Sequence, residues 1–272
     1  MFNTIGIITK PQDITSQETA RELGAFLKEQ DVSLVENEKD IEKNADLIIV
    51  VGGDGSILST ARTYVDSNIP ILGINLGRLG FLADVSVESM MNVVSEIISG
   101  EYIKEERALL SCQVEREGNI LSQHLAFNEV VVHRNETPRM IEFELFVDGD
   151  FVNKQRADGM IVTTPTGSTA YALSSGGPII HPSVNTICLV SISPHTMSHR
   201  PFILHDKSEV LISLIDSDDK ATVSFDGQAS FSILLGDSLR VRQHDNFIHL
   251  IHPKGYDYFD IIRSKLHWGH KV

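Results

Sequence analysis

The stretch "DLIIVVGGDGSILSTARTYV", residues 46–65, joins an apolar run, a glycine-rich tetrapeptide and a helix-like pattern. The run at 46–51 is continuous, which is typical of a strand covered on both faces. Apolar residues then recur on one face of a helix, at Ile57, Leu58, Ala61 and Val65. A buried strand that leads through glycines into a helix indicates one unit of an α/β layer.

The same alternation of strand and helix patterns surrounds this stretch. TIGIIT (4–9) and IPILGIN (69–75) are short apolar strand candidates. TSQE (15–18) matches a capping box before a first helix, and an apolar stripe over 87–98 predicts another helix. We therefore expect an α/β domain with a mostly parallel sheet over residues 1–100.

From residue 101 the apolar period changes to the alternation of exposed and buried strand positions. Turns are predicted at Gly118-Asn119 and at Asp148-Gly149, the second being a strong hairpin signal. The pattern predicts a β-rich, sandwich-like domain over 101–252. The segment 253–272 returns to a helix-like mix, and we expect it to pack back on the α/β domain.

Composition narrows the classes of function. The 272 residues carry a formal net charge of −14, which argues against an extended nucleic-acid surface. No apolar run is long enough to span a membrane, and the N-terminus lacks a signal-peptide pattern, so we expect a cytoplasmic protein. Cys112 and Cys188 are expected to be buried thiols. The eleven histidines form no metal site by spacing, and His249 and His252 fall on opposite faces of a strand.

The tetrapeptide GGDG provides the first candidate site. Gly52, Gly53 and Gly55, between a strand end and a helix start, would let a phosphate approach the backbone and the helix N-terminus. The pattern is neither of the familiar mononucleotide and dinucleotide loops. Asp54 also has a simpler explanation, as an N-cap of a helix starting near Ser56, which is worth about 1 kcal/mol.

Two further motifs lie in the β-rich half. TPTGSTAY (164–171) places hydroxyl residues and a glycine between a strand and a short helix, which suits a polar ligand. FNEVVVHR (127–134) opens an apolar run with Asn128 and Glu129. The alternatives are a capped Ser/Thr turn for the first motif and a solvent-facing strand end for the second.

Taken together and in this order, GGDG, INLGRLGFL (74–82), NEVVVHR, DGMIVTTPTGSTAYALSSGGPIIHP and SPHTMSHRPFIL (193–204) resemble the bacterial NAD kinases. The resemblance covers roughly residues 45–260. GGDG alone is shared with lipid kinases and phosphofructokinases, whereas TPTGSTAY with an upstream NE is far more specific. The resemblance implies transfer of a phosphoryl group from ATP, or in some members from polyphosphate, to the 2′-hydroxyl of the adenosine ribose of NAD.

The resemblance also implies roles for individual residues. Asp54 would be catalytic, engaging and deprotonating the 2′-hydroxyl, with Gly55 beside it. Asn128 and Glu129 would bind the adenine end of NAD, and Arg139 falls at a position that varies in the family. The remaining positions that match the NAD site are Arg156, Asp158, Thr166, Thr169, Ala170, Tyr171, Ser174 and Gln228.

The family resemblance further implies a divalent cation, normally magnesium, and a homo-oligomer, either a dimer or a tetramer. No residues of this sequence are assigned as metal ligands, and neither a membrane nor a nucleic acid is expected as a partner. Two alternatives remain open: another GGDG-type kinase that acts on a lipid or a sugar, and a non-catalytic regulator that binds a dinucleotide.

Overall fold

The apolar run that follows residue 46 forms a strand in which every residue is buried. In this computed structural model that strand belongs to the first of two units, which comprises residues 1–106 and 247–272; the second unit comprises residues 107–246. The described residues are 2–10, 12–35, 37–77, 80–135, 139–196, 198–217 and 221–268.

The described elements are numbered in chain order. The strands are β1 (Thr4–Thr9), β2 (Ser33–Val35), β3 (Leu47–Val51), β4 (Ile71–Asn75), β5 (Val85–Ser86), β6 (Tyr102–Arg107), β7 (Leu110–Arg116), β8 (Asn119–Ala126), β9 (Glu129–Arg134), β10 (Ile141–Val147), β11 (Asp150–Ala157), β12 (Gly159–Thr163), β13 (Thr186–Ile192), β14 (Phe202–His205), β15 (Val210–Asp216), β16 (Ala221–Phe225), β17 (Ala229–Ile233), β18 (Ser238–Gln243) and β19 (Ile248–Pro253). The α-helices are α1 (Ile14–Glu29), α2 (Ile41–Asn44), α3 (Asp54–Tyr64), α4 (Met90–Ile98), α5 (Tyr171–Ser174) and α6 (Tyr258–Leu266). Single 3-10 turns lie at Glu38–Asp40, Val65–Ser67 and Thr166–Thr169.

The first unit is built on a sheet with the strand order β2-β1-β3-β4-β19-β6, in which β5 also pairs with β4. The pairs β1–β2, β1–β3, β3–β4, β4–β5 and β4–β19 are all parallel. Apolar residues of α1 and α4 share one core with the sheet, among them Leu23, Leu27, Val94 and Ile97. This is the α/β domain with a mostly parallel sheet that the sequence predicted.

The second unit contains two six-stranded sheets, ordered β11-β10-β15-β18-β7-β8 and β14-β13-β12-β9-β16-β17. Alternating residues of both sheets meet in one core, for example Phe143 of the first and Phe225 of the second. The second sheet is covered on its other face as well, where Ala172 and Ile180 pack on Ile161 of β12. The expected sandwich is thus confirmed, and its second sheet has α5 above it.

Several local predictions need correction. Helix α1 begins at Ile14 and is capped by Asp13, whose carboxylate accepts the Ser16 N–H at 3.1 Å, so the predicted Thr15–Glu18 capping box is wrong. The first hairpin turns at Glu117 and Gly118, which both have positive φ, and not at Gly118-Asn119. The turn at Asp148-Gly149, with φ of 51° and 87°, is confirmed.

The last strand, β19, pairs in parallel with β4, whereas the boundaries predicted from the sequence put it in the β-rich domain. Its first five residues are all buried, including both histidines, so the polar letters in this strand do not mark an exposed face. Polar His252 is buried here because two carboxylates pair with it. The helix α6 follows in the same unit, which confirms the expected return of the C-terminal tail.

Candidate functional site

The GGDG tetrapeptide connects β3 directly to α3. Gly53 is the N-cap of the helix and Asp54 is its first residue, so Asp54 does not cap the helix and that simpler explanation is wrong. A Cβ atom on Gly52 would lie 2.7 Å from the Ser56 hydroxyl, whereas one on Gly53 would meet nothing within 4 Å. Gly52 therefore serves packing inside the turn, and Gly53 leaves the helix N-terminus open to a ligand.

The carboxylate of Asp54 is held by the segment that follows β4. Oδ2 accepts the N–H of Phe81 at 2.9 Å, and Oδ1 accepts those of Leu82 and Ala83, each at 3.1 Å. Gly80 lies against the same carboxylate, because a Cβ there would overlap Asp54 Oδ1. The side chain is only partly buried. Three backbone donors thus fix the direction of a carboxylate that solvent can still reach.

In the second unit, strand register brings the other motifs together. Glu129 at the start of β9 pairs with Thr163 at the end of β12. On the other side of β9, Val130 pairs with Phe225 at the end of β16. The TGST turn (166–169) follows β12, the SFDGQ turn (224–228) ends β16, and the NE pair (128–129) opens β9. All three therefore meet at one end of the sheet.

The carbonyl of Asn128 joins the NE pair to the TGST turn. It accepts the N–H of Thr164 at 2.9 Å and the hydroxyl of Thr163 at 3.1 Å. Gly167 packs so closely on this carbonyl that a Cβ would overlap it. The glycine of TGST is therefore required by close packing in its own unit. Beneath the turn, the buried guanidinium of Arg107 donates to the Thr166 hydroxyl at 3.2 Å.

A buried aspartate organises the same end of the sheet. Asp226 accepts the N–H groups of Phe127, Asn128 and Glu129 at 2.9, 2.7 and 3.1 Å. Burial, and secondarily the charge of Asp226, raises the pKa of the Glu129 carboxyl to about 8, while a hydrogen bond from the Tyr171 backbone opposes the shift. Glu129 is therefore held largely protonated at neutral pH, and as such it can donate a hydrogen bond.

A cavity of about 550 Å³ opens beside these motifs on the outer face of the second sheet. Alternate residues of β9 line one side of it, and Tyr171 of α5 lines another. At its far end Arg134 Nε pairs with Asp158 Oδ1 at 2.7 Å. The described lining residues are Glu129, Val131, His133, Arg134, Asn135, Asp158, Tyr171, Ile192, Ser224, Asp226 and Gly227.

Two family models match this chain. The ATP-NAD kinase N-terminal domain matches residues 33–102 and the ATP-NAD kinase C-terminal domain matches residues 127–252. The chain belongs to the NAD kinase family. It is 44% identical to the NAD kinase of Hydrogenovibrio crunogenus over 100% of both chains. It is 42% identical to that of Thiobacillus denitrificans over 100% of this chain and 99% of the relative.

Solved structures give the same result. The yeast NADH kinase, complexed with NADH, superposes with a TM-score of 0.91 at 27% identity over 99% of this chain and 89% of that one. An NAD kinase of Archaeoglobus fulgidus in complex with ATP gives 0.78 at 26% identity over 98% and 100%. The chain is thus a phosphotransferase of this family, and the lipid-kinase, sugar-kinase and regulator alternatives have no support.

The structure gathers several of the expected site residues and leaves others apart. Glu129, Asp158 and Tyr171 line the cavity. Beside it lie Asn128 of the NE pair, Thr166 and Thr169 of the TGST turn, and Ala170, which follows that turn. Gln228 is exposed in the turn after Asp226. Three exposed residues are not among the described residues of its lining: Arg139, Arg156 and Ser174. Of INLGRLGFL, Arg78 and Leu79 lie outside the described residues.

Sequence reasoning missed the residues that hold the motifs in place. Asp226 stands two residues before Gln228, the position that matches the family, and no local pattern marks its carboxylate as the acceptor of three backbone amides. Arg134 ends the quoted NEVVVHR motif, yet its partner Asp158 lies on the far side of a hairpin. Pairs this distant in sequence leave no local signal. Over the described ranges, no group of three or more His, Cys, Asp or Glu side chains is arranged to hold a metal ion.

No helix in the described part of the chain has the length and apolar character needed to cross a membrane. The longest, α1, has 16 residues and a polar outer face.

Proposed function

We propose that this protein transfers the γ-phosphoryl group of ATP to the 2′-hydroxyl of the adenosine ribose of NAD, giving NADP and ADP. The observation that carries the proposal is the Asp54 carboxylate, which three backbone amides orient at the open start of α3. Family membership supports it, as do the NADH and ATP held by the two similar structures.

In the proposed reaction Asp54 accepts the proton of the 2′-hydroxyl. The ribose oxygen forms a bond to the γ-phosphorus while the bond from that phosphorus to the β–γ bridging oxygen breaks, and ADP leaves. Because the transition state of phosphoryl transfer is loose, orientation and charge neutralisation matter more than the strength of the base. The amide clamp on Asp54 supplies orientation. Gly52, Gly53 and Gly55 would let the phosphates approach the backbone.

The second unit would hold the dinucleotide. Asn128 and Glu129 are proposed to bind the adenine end of NAD, with the TGST turn and Asp158 around it. Support comes from the way strand register gathers these residues beside the cavity. Arg139, Arg156, Ser174 and Gln228 are retained as proposed NAD contacts on the family resemblance alone.

Magnesium would enter with ATP. This ion usually keeps several waters and binds through one or two carboxylates together with substrate phosphates. The residues around GGDG fit that mode, since Asp54 is one partly exposed carboxylate beside open glycines. When bound, the ion would neutralise charge that develops on the phosphates.

We also propose that the protein acts in the cytoplasm as a homo-oligomer, a dimer or a tetramer, as the family resemblance implies. Light scattering coupled to size exclusion measures the mass in solution. A mass of one chain at micromolar concentration would overturn this part.

The decisive experiment follows NADP formation from ATP, magnesium and NAD with a coupled dehydrogenase. Asp54→Asn should lower kcat by about 10³-fold, within the range for loss of an acid–base group. Asp46→Asn is the matched control, because the Asp46 carboxylate also accepts two backbone amides, from Asn3 and Thr4, in the same unit. It should retain wild-type turnover.

Each outcome has a definite meaning. If the wild-type protein binds NAD but forms no NADP, it is a regulator and the proposal fails. If Asp54→Asn turns over like the wild type, Asp54 is not the base.

A further inference from the structure

A buried histidine forms a charged cluster next to the segment that clamps Asp54. His252 of β19 is fully buried, and its Nδ1 lies 2.8 Å from Asp84 Oδ2 while its Nε2 lies 3.1 Å from Glu105 Oε2. Tyr256 stacks on the ring with a centroid distance of 3.8 Å. This histidine has no part in the proposed reaction.

With both carboxylates ionised, the geometry favours the charged form of the ring. A neutral imidazole has one N–H, so it could serve only one of the two carboxylates and would turn a lone pair toward the other. The imidazolium donates to both. Burial by itself would lower the pKa of His252, but the hydrogen bonds to Asp84 and Glu105 and their negative charges outweigh it and raise the pKa above its usual value.

Asp84 connects this cluster to Asp54. It follows Ala83, the last of the three residues whose amides hold the Asp54 carboxylate. Asp84 is nearly fully buried, and among the described groups its Oδ1 has no hydrogen-bond partner. Among the described residues, the hydrogen bond from His252 is therefore the contact that holds this side chain in place. Losing it would leave a buried carboxylate without a donor, which is strongly unfavourable.

We propose that His252 is a positioning residue, whose imidazolium ties Asp84 to Glu105 and thereby holds residues 81–83 where their amides orient Asp54. This inference rests on the proposed role of Asp54 in phosphoryl transfer. Removal of one proton from His252 would leave a single N–H, so the ring could no longer join Asp84 to Glu105. Without that link the amide clamp would loosen and turnover would slow, although no group that touches substrate is removed.

The inference gives turnover a pH dependence of defined sign. His252 is charged below its raised pKa, so the clamp is intact at neutral pH and weakens as pH rises through that value. The described titratable groups that face the ring are Asp84, Glu105 and the Tyr256 phenol. On the neighbouring parts of β19 and β6, His249 lies near Lys104 and Glu106, and Lys254 pairs with Glu101.

The test compares His252→Asn with His249→Asn by steady-state kinetics between pH 6 and pH 10. His249 is the matched control, since it lies on the same strand and is also buried, but its Nδ1 makes no hydrogen bond to the described residues. His252→Asn should lower kcat at pH 7 about 10- to 100-fold, as expected for a misplaced catalytic group, with both KM values within about twofold. It should also lack the alkaline decline in kcat of the wild type. His249→Asn should keep wild-type kinetics.

Glu105→Gln provides a second variant in case His252→Asn fails to fold. It keeps the shape of the cluster and removes one negative charge, so it should move the alkaline decline to lower pH by about one unit. The ring ¹⁵N shifts of His252, assigned by comparison with the variant, should show both nitrogens protonated at pH 7.

The outcomes separate this inference from the proposed function. A neutral His252 at pH 7, or an unchanged pH profile in both cluster variants, would overturn the positioning role even if Asp54→Asn is inactive. If instead Asp54→Asn is fully active, the proposed base is wrong and the cluster has no catalytic group to position.

Discussion

Asp54 and Asp226 use the same hydrogen-bond arrangement in two different units. Each carboxylate accepts the N–H groups of three consecutive residues, 81–83 for Asp54 and 127–129 for Asp226. Their surroundings differ. Asp54 is partly exposed at the first turn of a helix, whereas Asp226 is buried in a turn, at a positive φ of 52°.

The difference in exposure separates the two roles. An ionised carboxylate has about four acceptor positions, of which three amides use three, so the partly exposed Asp54 retains capacity toward a ligand. Asp226 lies inside the protein beside Glu129, where its charge helps to keep a second carboxyl protonated. One clamp therefore orients a reactive group, and the other fixes the backbone of a binding motif.

Among variants that leave Asp54 itself unchanged, Gly80→Ala gives the largest expected effect, because its new Cβ would overlap the clamped carboxylate. The new methyl group would overlap Oδ1, and the three hydrogen bonds from backbone amides leave the carboxylate little freedom to move away. We expect kcat to fall about 100-fold, as for a catalytic group displaced by roughly 1 Å. Steady-state kinetics with NAD and ATP measure the change.

Gly77→Ala is the control for this variant. Gly77 lies in the same connection after β4, and a Cβ there would meet nothing within 4 Å among the described atoms. It should leave kcat within about twofold of the wild type, since a surface substitution away from such contacts has little effect. Equal losses in the two glycine variants would show that the connection as a whole, and not the carboxylate contact, matters.

Asp226→Asn should lower the free energy of unfolding more than Asp54→Asn does. In either variant the amide oxygen can keep two of the three donors, while the new NH₂ group faces the third N–H. At the buried Asp226 site this leaves a backbone donor unpaired, at a cost of about 1–3 kcal/mol. At the partly exposed Asp54 site water can replace the lost acceptor, so we expect a loss below about 1 kcal/mol.

Urea unfolding of the two variants measures both losses of stability. Steady-state kinetics at varied NAD concentration measure the effect of Asp226→Asn on the NAD site proposed for the second unit. Asp226→Asn should also raise the KM for NAD, because the clamp orders Asn128 and Glu129. If both variants lost the same stability, exposure would not be what separates the two clamps.

Much of the fold could be predicted because the relevant signals are local. The run at 46–51 showed a strand buried on both faces, and Asp148-Gly149 marked a hairpin turn. The placement of β19 could not be predicted in this way. Its pairing with β4 joins residues about 180 positions apart, and the charge on His252 is compensated by Asp84 and Glu105 from distant segments.

In the candidate site, too, some residues carry a local signal in the sequence and others do not. Asp54, Asn128 and Glu129 stand in short motifs whose letters already suggest a ligand. The groups that hold them are backbone amides and buried side chains, such as the N–H of Phe81 and the Asp226 carboxylate. Backbone donors carry no signature in the sequence, and strand register decides which side chain meets them.

The smallest expected effect is a change of stability with pH, which arises because burial and the Asp226 charge keep the Glu129 carboxyl protonated. In the folded protein the pKa of Glu129 is raised, by burial first and by Asp226 second, to about 8 from 4.5. Between these two values the unfolded chain has released this proton while the folded protein keeps it, so stability falls as pH rises. Glu129→Gln cannot ionise and should lose this slope. Its stability relative to the wild type should increase by at least about 1 kcal/mol between pH 5 and pH 8.

Urea unfolding at pH 5, 6.5 and 8 measures this change, with Glu144→Gln as a control at a half-buried strand position of the same unit. The control should differ from the wild type by a similar amount at all three pH values. Adding Asp226→Asn to Glu129→Gln tests the coupling itself. Once residue 129 cannot ionise, loss of the Asp226 charge no longer relieves any repulsion, so the remaining cost of Asp226→Asn should be that of the broken amide clamp alone. A constant difference between Glu129→Gln and the wild type would mean that Glu129 is ionised in the fold, and that the buried clamp tolerates two adjacent negative charges.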